Sequence, residues 1–452
     1  MNKKEEIHNE INNIVNEKLC HRCGTCVGVC PQHAIKFNEE GYPEINSDLC
    51  IACGKCLRVC AGKDFDCNHF SKLLYDKQYD FKATHGNFEK AFLIASQDKT
   101  VREVGSSGGF ITQLLISLLR QGVINGALVV VSDGKKLWKG KPIIAKSEEE
   151  IINATKSKYS IVSTNSVLGE LYKLEGKYAV VGLPCQIQGI RKCCEVDLRL
   201  KDKIALTVGL FCHSSLEPEL YESVWKDLGD EEKNINRFNP RKGKHPGVPT
   251  LEFNDGTSRP LFYANRGKYV PNSTELLNLF FRLYTQPRCF SCIDALSEFA
   301  DISVGDPYFT IKQDIDLKEG WSFVLVRNQK ALEYISNMDN AKEVILKEVS
   351  KENAQKCNLI MAKNKKSFAF HQIANRERQG KAVPKYTDNY INLQNFSFKN
   401  NIKYYFNYLT FYFCFLQKGR KTLLRILLGG CGYYLLLLNH IRKEFMNKIK
   451  GK

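Results

Sequence analysis

The chain has 452 residues, 43% hydrophobic and 25% charged, which excludes a disordered protein and favours two or three domains over a single core. Its formal net charge is +17, but residues 396–452 hold 11 Lys/Arg against one acid, Glu444, so a nucleic-acid-binding main body is not expected. The 18 cysteines follow an N-terminus, MNKKEEIHNEINNIVNEKL, with no apolar secretory region, so a cytoplasmic, metal-binding use is expected rather than disulfides.

After this polar, helix-like segment, Cys20-x2-Cys23-x2-Cys26-x3-Cys30 ends in Pro31, and Cys50-x2-Cys53-x2-Cys56-x3-Cys60 repeats the spacing with Ala61 in place of proline. In such runs the tight loop wraps three thiolates around one corner of a cubane, and the fourth cysteine reaches across to the other cluster. One [4Fe-4S] cluster is therefore expected on Cys20, Cys23, Cys26 and Cys60, and a second on Cys50, Cys53, Cys56 and Cys30. A pair of zinc sites is the alternative, though zinc does not require two interlocked runs. AIKF, a Glu-Glu-Gly turn and PEI predict a small hairpin between the runs. The segment resembles bacterial two-cluster ferredoxins, which implies electron transfer. Residues 1–70 are expected to form this α+β ferredoxin-like domain, with Cys67 as a spare buried thiol.

From residue 89 the texture becomes α/β. AFLIAS at 91–96, the helix-period FITQLLISLLRQG and GALVVVS at 126–132 predict a strand–helix–strand unit with parallel strands. Ser147 followed by three glutamates predicts a capped helix, and KYAVVG at 177–182 and KIALTVGLF at 203–211 predict buried strands. Gly105-Ser106-Ser107-Gly108-Gly109 at a helix start suits an anion, but it lacks the P-loop lysine, and a plain capped helix is the alternative.

Two predicted strands end in cysteine-bearing turns, at Cys185 and Cys212. Strand ends are where ligands bind in open α/β sheets. With Cys289 and Cys292 of RCFSC they supply four thiolates, enough for a third cubane, although a zinc clip or a redox dithiol at Cys289/Cys292 remains open. Cys193 and Cys194 are rival ligands, but they lie on the predicted helix after Gln186.

GSSGG, SKYS at 157–160, GLPCQIQGIRK at 182–192, GLFCHSS at 209–215 and CFSCIDALSEFADISVGDPY at 289–308 resemble the coenzyme F-420 (deazaflavin) hydrogenase/dehydrogenase beta-subunit family. The resemblance runs over residues 89–350, and residues 89–385 are expected to form that domain. It implies FAD beside a [4Fe-4S] cluster held by Cys185, Cys212, Cys289 and Cys292, with electrons collected singly and released as hydride to a deazaflavin-like or other organic acceptor. It makes Gly105, Ser106, Ser107, Gly108 and Gly109 candidate flavin contacts, and Lys158 and Tyr159 candidates for the flavin or acceptor pocket. His213 is the candidate proton donor, with a core histidine as the alternative. Asp301 and Asp306 are expected to shape the loop beside the cluster, and Arg237, Arg241, Lys242 and Lys244 to form a basic run for an anionic acceptor or a solvated face. Tyr308 stands after GDP where the family leads one to expect Trp.

Residues 396–452 are expected to form an amphipathic helical tail, with apolar runs at 404–416 and 426–438. Each run has 13 residues. At about 20 Å as a helix, that is too short for a hydrocarbon core of about 30 Å. The tail is expected at an anionic membrane surface, on the inner face, or packed on the main domain. The expected partners are a redox protein or ferredoxin and a small organic acceptor. The competing functions are an electron-transfer subunit serving a partner enzyme and a membrane-docked component of cell-envelope polysaccharide synthesis.

Overall fold

The computed structural model describes residues 2–261, 270–309 and 316–387, with scattered positions between 419 and 445. Helix α1 (Lys3–Asn16) opens on an Asn2/Glu5 capping box and turns Ile7, Ile11 and Ile14 onto the cysteine loops. Short helices α2 (Thr25–Gly28) and α3 (Lys55–Arg58) carry the third cysteine of each run. Gly24 and Gly54 precede them at φ 84° and 72°, a left-handed conformation that lets each loop turn into its helix without Cβ strain. Strands β1 (Ile35–Phe37) and β2 (Pro43–Ile45) pair antiparallel as the expected hairpin.

This unit is packed onto the rest of the chain. Arg22 pairs with Glu217 at 2.5 Å, and Arg376 pairs with Glu17 at 2.9 Å. The N–H groups of Phe65 and Cys67 donate to the carbonyls of Lys385 and Tyr386 at 2.7 and 2.8 Å. The far end of the main domain thus returns to the first 70 residues.

The main sheet has eight strands: β3 (Lys90–Ser96), β4 (Gly126–Ser132), β5 (Gly140–Ala145), β6 (Tyr178–Gly182), β7 (Ile204–Leu210), then, beyond a separate sheet of β8 (Ile235–Lys242), β9 (Val248–Phe253) and β10 (Ser258–Pro260), β11 (Ile302–Gly305), β12 (Ser322–Val326) and β13 (Val344–Val349). The order is β13-β3-β12-β11-β7-β6-β4-β5, with β11, β7, β6 and β4 parallel to one another and the remaining pairings antiparallel. The four expected strands are present because each is an apolar run covered on both faces. The expected strand–helix–strand unit is corrected in one respect: β3 and β4 are separated by four strands, since β12 and β13 take both places beside β3.

Helix α4 (Phe110–Arg120) covers one face with Phe110, Leu114, Leu115 and Leu118, and Ser147 caps the helix Glu148–Asn153 in a capping box with Glu150. Helix α5 (Pro184–Val196) follows β6, and α6 (Pro218–Leu228) and α7 (Ser273–Leu283) pack against the three-stranded sheet through Leu220, Trp225, Leu251, Leu276 and Phe280. The long α8 (Leu359–Arg378) lies against the turn that carries Cys289. No helix among the described residues is long and apolar enough to cross a membrane. The apolar run 404–416 and the domain limits beyond 387 lie outside the described residues.

Candidate functional site

The two N-terminal quartets line separate cavities in the crossed pattern. Cys20, Cys23, Cys26 and Cys60 share one with Ile11, Ile14 and His21, and Cys30, Cys50, Cys53 and Cys56 share the other with Ile7, Pro31 and Ile45. Burial and then the neighbouring Cys60 push the Cys20 thiol up to about 12; burial, with Cys53, Cys30 and Cys50 nearby, does the same to Cys56. Thiols crowded in this way give up their protons when a metal centre takes their charge. Among the described residues, no three or more His, Cys, Asp or Glu side chains are grouped to hold a single metal ion. The sulfurs ring a cavity, an arrangement that fits a four-iron cubane better than a single tetrahedral zinc.

Four more cysteines meet at the carboxyl edge of the sheet. Cys185 lies in the first turn of α5, and Cys212 lies two residues past β7. Cys289 sits in the turn Pro287–Ser291, and Cys292 closes that turn. Burial raises the Cys185 thiol well above its ordinary value, followed by the charges of Cys23, Cys292, Cys289 and Cys212. The four are therefore neighbours, and Cys23 of the N-terminal run also lies close enough to act on Cys185. Asn165 secures this approach by donating to Thr25 Oγ1 and to the Gln186 carbonyl, both at 2.9 Å. Cys193 is buried with Leu128, Val180 and Ile187, while Cys67 is buried beside Phe65 and Phe70, so neither joins a quartet; Cys194 is half-buried against the same core.

Lys365 of α8, which the sequence did not single out, is buried against this quartet. Its amine donates to the carbonyls of Cys212 and Asp294 at 2.7 and 2.8 Å, and although burial alone would discharge it, the thiols of Cys292, Cys212 and Cys289 hold its pKa above the ordinary lysine value. His21 is buried nearby, with no hydrogen-bond partner for either ring nitrogen among the described residues. Burial and the charges of Arg288 and Lys365 hold it neutral, well below the ordinary histidine range.

The glycine-serine loop is more constrained than an open anion nest. The N–H groups of Gly105 and Gly108 are already used by the Val101 carbonyl at 3.0 Å and by Ser322 Oγ at 3.2 Å, so these two donors are not free for an anion. A Cβ on Gly108 would come within 2.4 Å of the Ile94 carbonyl oxygen, so only glycine lets the loop lie this close to β3. Ser106 Oγ is 3.3 Å from Ser157 Oγ, and Ser107 donates to the Trp321 carbonyl. The indole N–H of Trp321 is buried without a partner among the described residues, an orphan donor that a ligand would satisfy.

Lys156, another residue missed in the sequence, donates to the Gly105 carbonyl at 2.8 Å. Lys158 instead turns its amine back to the carbonyls of Ala154 and Thr155 at 3.1 and 2.6 Å. Burial first, then Arg237, lowers both amines to about 8, with Arg241 adding to the effect on Lys156. Tyr159 is hydrogen-bonded to Ser157 and Arg241, and Arg241 pairs with Asp306 at 2.8 Å. The basic run therefore divides: Arg241 is buried, whereas Arg237, Lys242 and Lys244 are exposed. Tyr308 sits opposite His245, with ring centroids 5.6 Å apart. Asp301 joins β7 to the start of β11, accepting from Thr207 N at 2.8 Å and Arg191 Nη2 at 2.9 Å. His213 is exposed and stacked on Phe281 at 4.8 Å, which removes the core-histidine alternative.

The paired cysteine runs are those of an iron-sulfur protein. The chain belongs to the coenzyme F420 hydrogenase/dehydrogenase beta-subunit family: the family's N-terminal model matches residues 91–169 and its C-terminal model residues 175–352, with a 4Fe-4S dicluster domain matched at 12–66. It is 29% identical over 358 residues to a coenzyme F420-dependent sulfite reductase of Methanocaldococcus jannaschii, covering 76% of this chain but only 49% of that protein. It is also 29% identical over 250 residues to the coenzyme F420 hydrogenase subunit beta of Methanosarcina barkeri, covering 54% of this chain and 76% of that subunit. A chain from the xenon-derivatized F420-reducing [NiFe] hydrogenase complex of Methanosarcina barkeri superimposes with a TM-score of 0.51 at 26% identity, over 68% of this chain and 98% of that one.

Proposed function

We propose that the protein carries three [4Fe-4S] clusters and FAD, and passes electrons to an organic acceptor, deazaflavin-like or otherwise. The observation that carries this reading is the sequence of quartets from the exposed Cys53 to the buried Cys185 and Cys292, with Cys23 beside Cys185. Cys185, Cys212, Cys289 and Cys292 are the ligands proposed for the third cluster. Bound FAD supplies the exchange between single electrons and hydride. The chain's own contribution is positional: Ser106, Ser107, the orphan Trp321 N–H and the Lys156 amine offer contacts to the flavin's polar groups. Arg237, Lys242 and Lys244 present exposed charge to an anionic acceptor. Tyr159 holds Arg241 in place, Lys158 adds positive charge to the pocket wall, and His213 is the exposed proton carrier beside Cys212.

Anaerobically purified protein is expected to hold about twelve irons and one FAD, with the reduced flavin reoxidised by a small organic acceptor alone. Reoxidation only by a protein would instead make the chain an electron-transfer subunit, a reading kept open by the hydrogenase-subunit names of its relatives. Cys289→Ser should remove about four irons and leave the N-terminal clusters. Unchanged iron would return Cys289 and Cys292 to a clip or dithiol.

A further inference from the structure

The described tail residues are helical and lie against α6 and α7. Arg420 pairs with Glu219 and stands over the Tyr284 ring at 4.9 Å. Leu423 packs on the core that contains Tyr284, and His440 Nδ1 lies 3.3 Å from Glu275. Other described side chains of the tail are exposed. Tyr434, Leu438, Ile441 and Phe445 are 64%, 62%, 52% and 63% exposed. Their spacing of four, three and four places them on one helical stripe.

The charge around this stripe has one sign. Residues 418–452 contain nine Lys/Arg and a single acid, Glu444. Protein interfaces are depleted in lysine, whereas Tyr and Phe flanked by Lys and Arg suit an anionic lipid surface. The described helical positions there are 434, 437–442 and 444–445. At about 1.5 Å per residue this segment is roughly 18 Å long, too short to cross a hydrocarbon core of about 30 Å.

We propose that Tyr434, Leu438, Ile441 and Phe445 form a lipid-binding face that lies in the interface of an anionic bilayer, while Arg420 and His440 hold the tail to the main domain. The apolar side chains enter below the headgroups, and the flanking Lys and Arg side chains meet the phosphates. The Arg420–Glu219 ion pair and the His440–Glu275 contact fix the orientation, so binding lays α6 and α7 close to the membrane plane.

The test is flotation of the full-length, iron-loaded protein with phosphatidylcholine vesicles, with and without phosphatidylglycerol. Flotation is expected only with the anionic lipid and should be lost at high salt. Leu438→Ser with Phe445→Ser should weaken it about tenfold or more while iron content stays unchanged. Arg442→Glu with Lys443→Glu should weaken it comparably with the stripe intact. Absence of flotation overturns the proposal, as does flotation insensitive to both double variants. A dimer that becomes monomeric on Leu438→Ser/Phe445→Ser without lipid would show that a second copy covers the stripe, and would also overturn it.

Discussion

A buried ammonium against three thiols is the sharpest electrostatic feature at the scale of single residues. Lys365 donates to the carbonyls of Cys212 and Asp294, so its position is fixed, and its charge faces the quartet proposed to hold the third cluster. A positive charge at this range favours the more reduced, more negative state of a cluster. Lys365→Met should therefore lower the potential of one cluster by on the order of 50–100 mV for a one-electron couple, without loss of iron. Lys365→Arg should restore most of that shift, as read by a potentiometric titration of the cluster signals. The lysines beside the glycine-serine loop act through pH. Burial and Arg237 lower Lys156 and Lys158 from 10.5 to about 8. Both are charged at pH 7 and lose that charge as pH rises through about 8, so retention of an anionic flavin should weaken between pH 7 and 9. The folded-state values lie below the unfolded ones, so the cost of burying the two charges is fully present below about 8 and is relieved as pH rises toward 10.5. Flavin loss on alkaline dialysis without a fall in melting temperature would match both signs.

Among the elements, α2 does two jobs, since it carries Cys26 and packs the ferredoxin-like unit onto the main domain. A Cβ on Gly28 would come within 2.1 Å of the Asn165 carbonyl oxygen, with Leu168 Cβ also at 3.2 Å. Gly28→Ala is therefore overpacked against backbone and should cost about 1–3 kcal/mol, seen as a lower melting temperature with the inter-domain contact loosened. This close approach was not legible in the sequence, where Gly28 is only a residue inside a cluster motif. The motif itself was fully legible, because thiolate geometry fixes the spacing of ligands along a tight loop. Strands β3, β4, β6 and β7 were also legible, as apolar runs between turns. Their order was not, because β12 and β13 arrive from more than two hundred residues later and no local pattern says which edge they join. Lys365 was hidden for a related reason. Its stretch, KNKK, reads as a solvated helix face, and only packing of α8 against the Cys289 turn makes it interior.

For the whole molecule, the decisive relation is between exposure and order. Cys53 is exposed, Cys185 and Cys292 are buried, and Cys23 lies between the two regions. On the proposed three-cluster reading, an external donor would meet the Cys30/Cys50/Cys53/Cys56 quartet first, and the quartet on Cys185 would be reached through the one on Cys20, Cys23, Cys26 and Cys60. This order makes two variants with equal iron loss behave differently. Cys56→Ala and Cys289→Ser should each remove about four irons. With a protein donor, Cys56→Ala should slow reduction of the remaining clusters and of the flavin together, because the outermost step is gone. Cys289→Ser should leave reduction of the N-terminal clusters at its normal rate and delay only the flavin. Stopped-flow absorbance that follows cluster and flavin bands separately distinguishes the two patterns. If the flavin of Cys56→Ala were reduced by the protein donor as fast as in the unaltered chain, the donor would reach the interior by another face, and the inward route from Cys53 would be wrong.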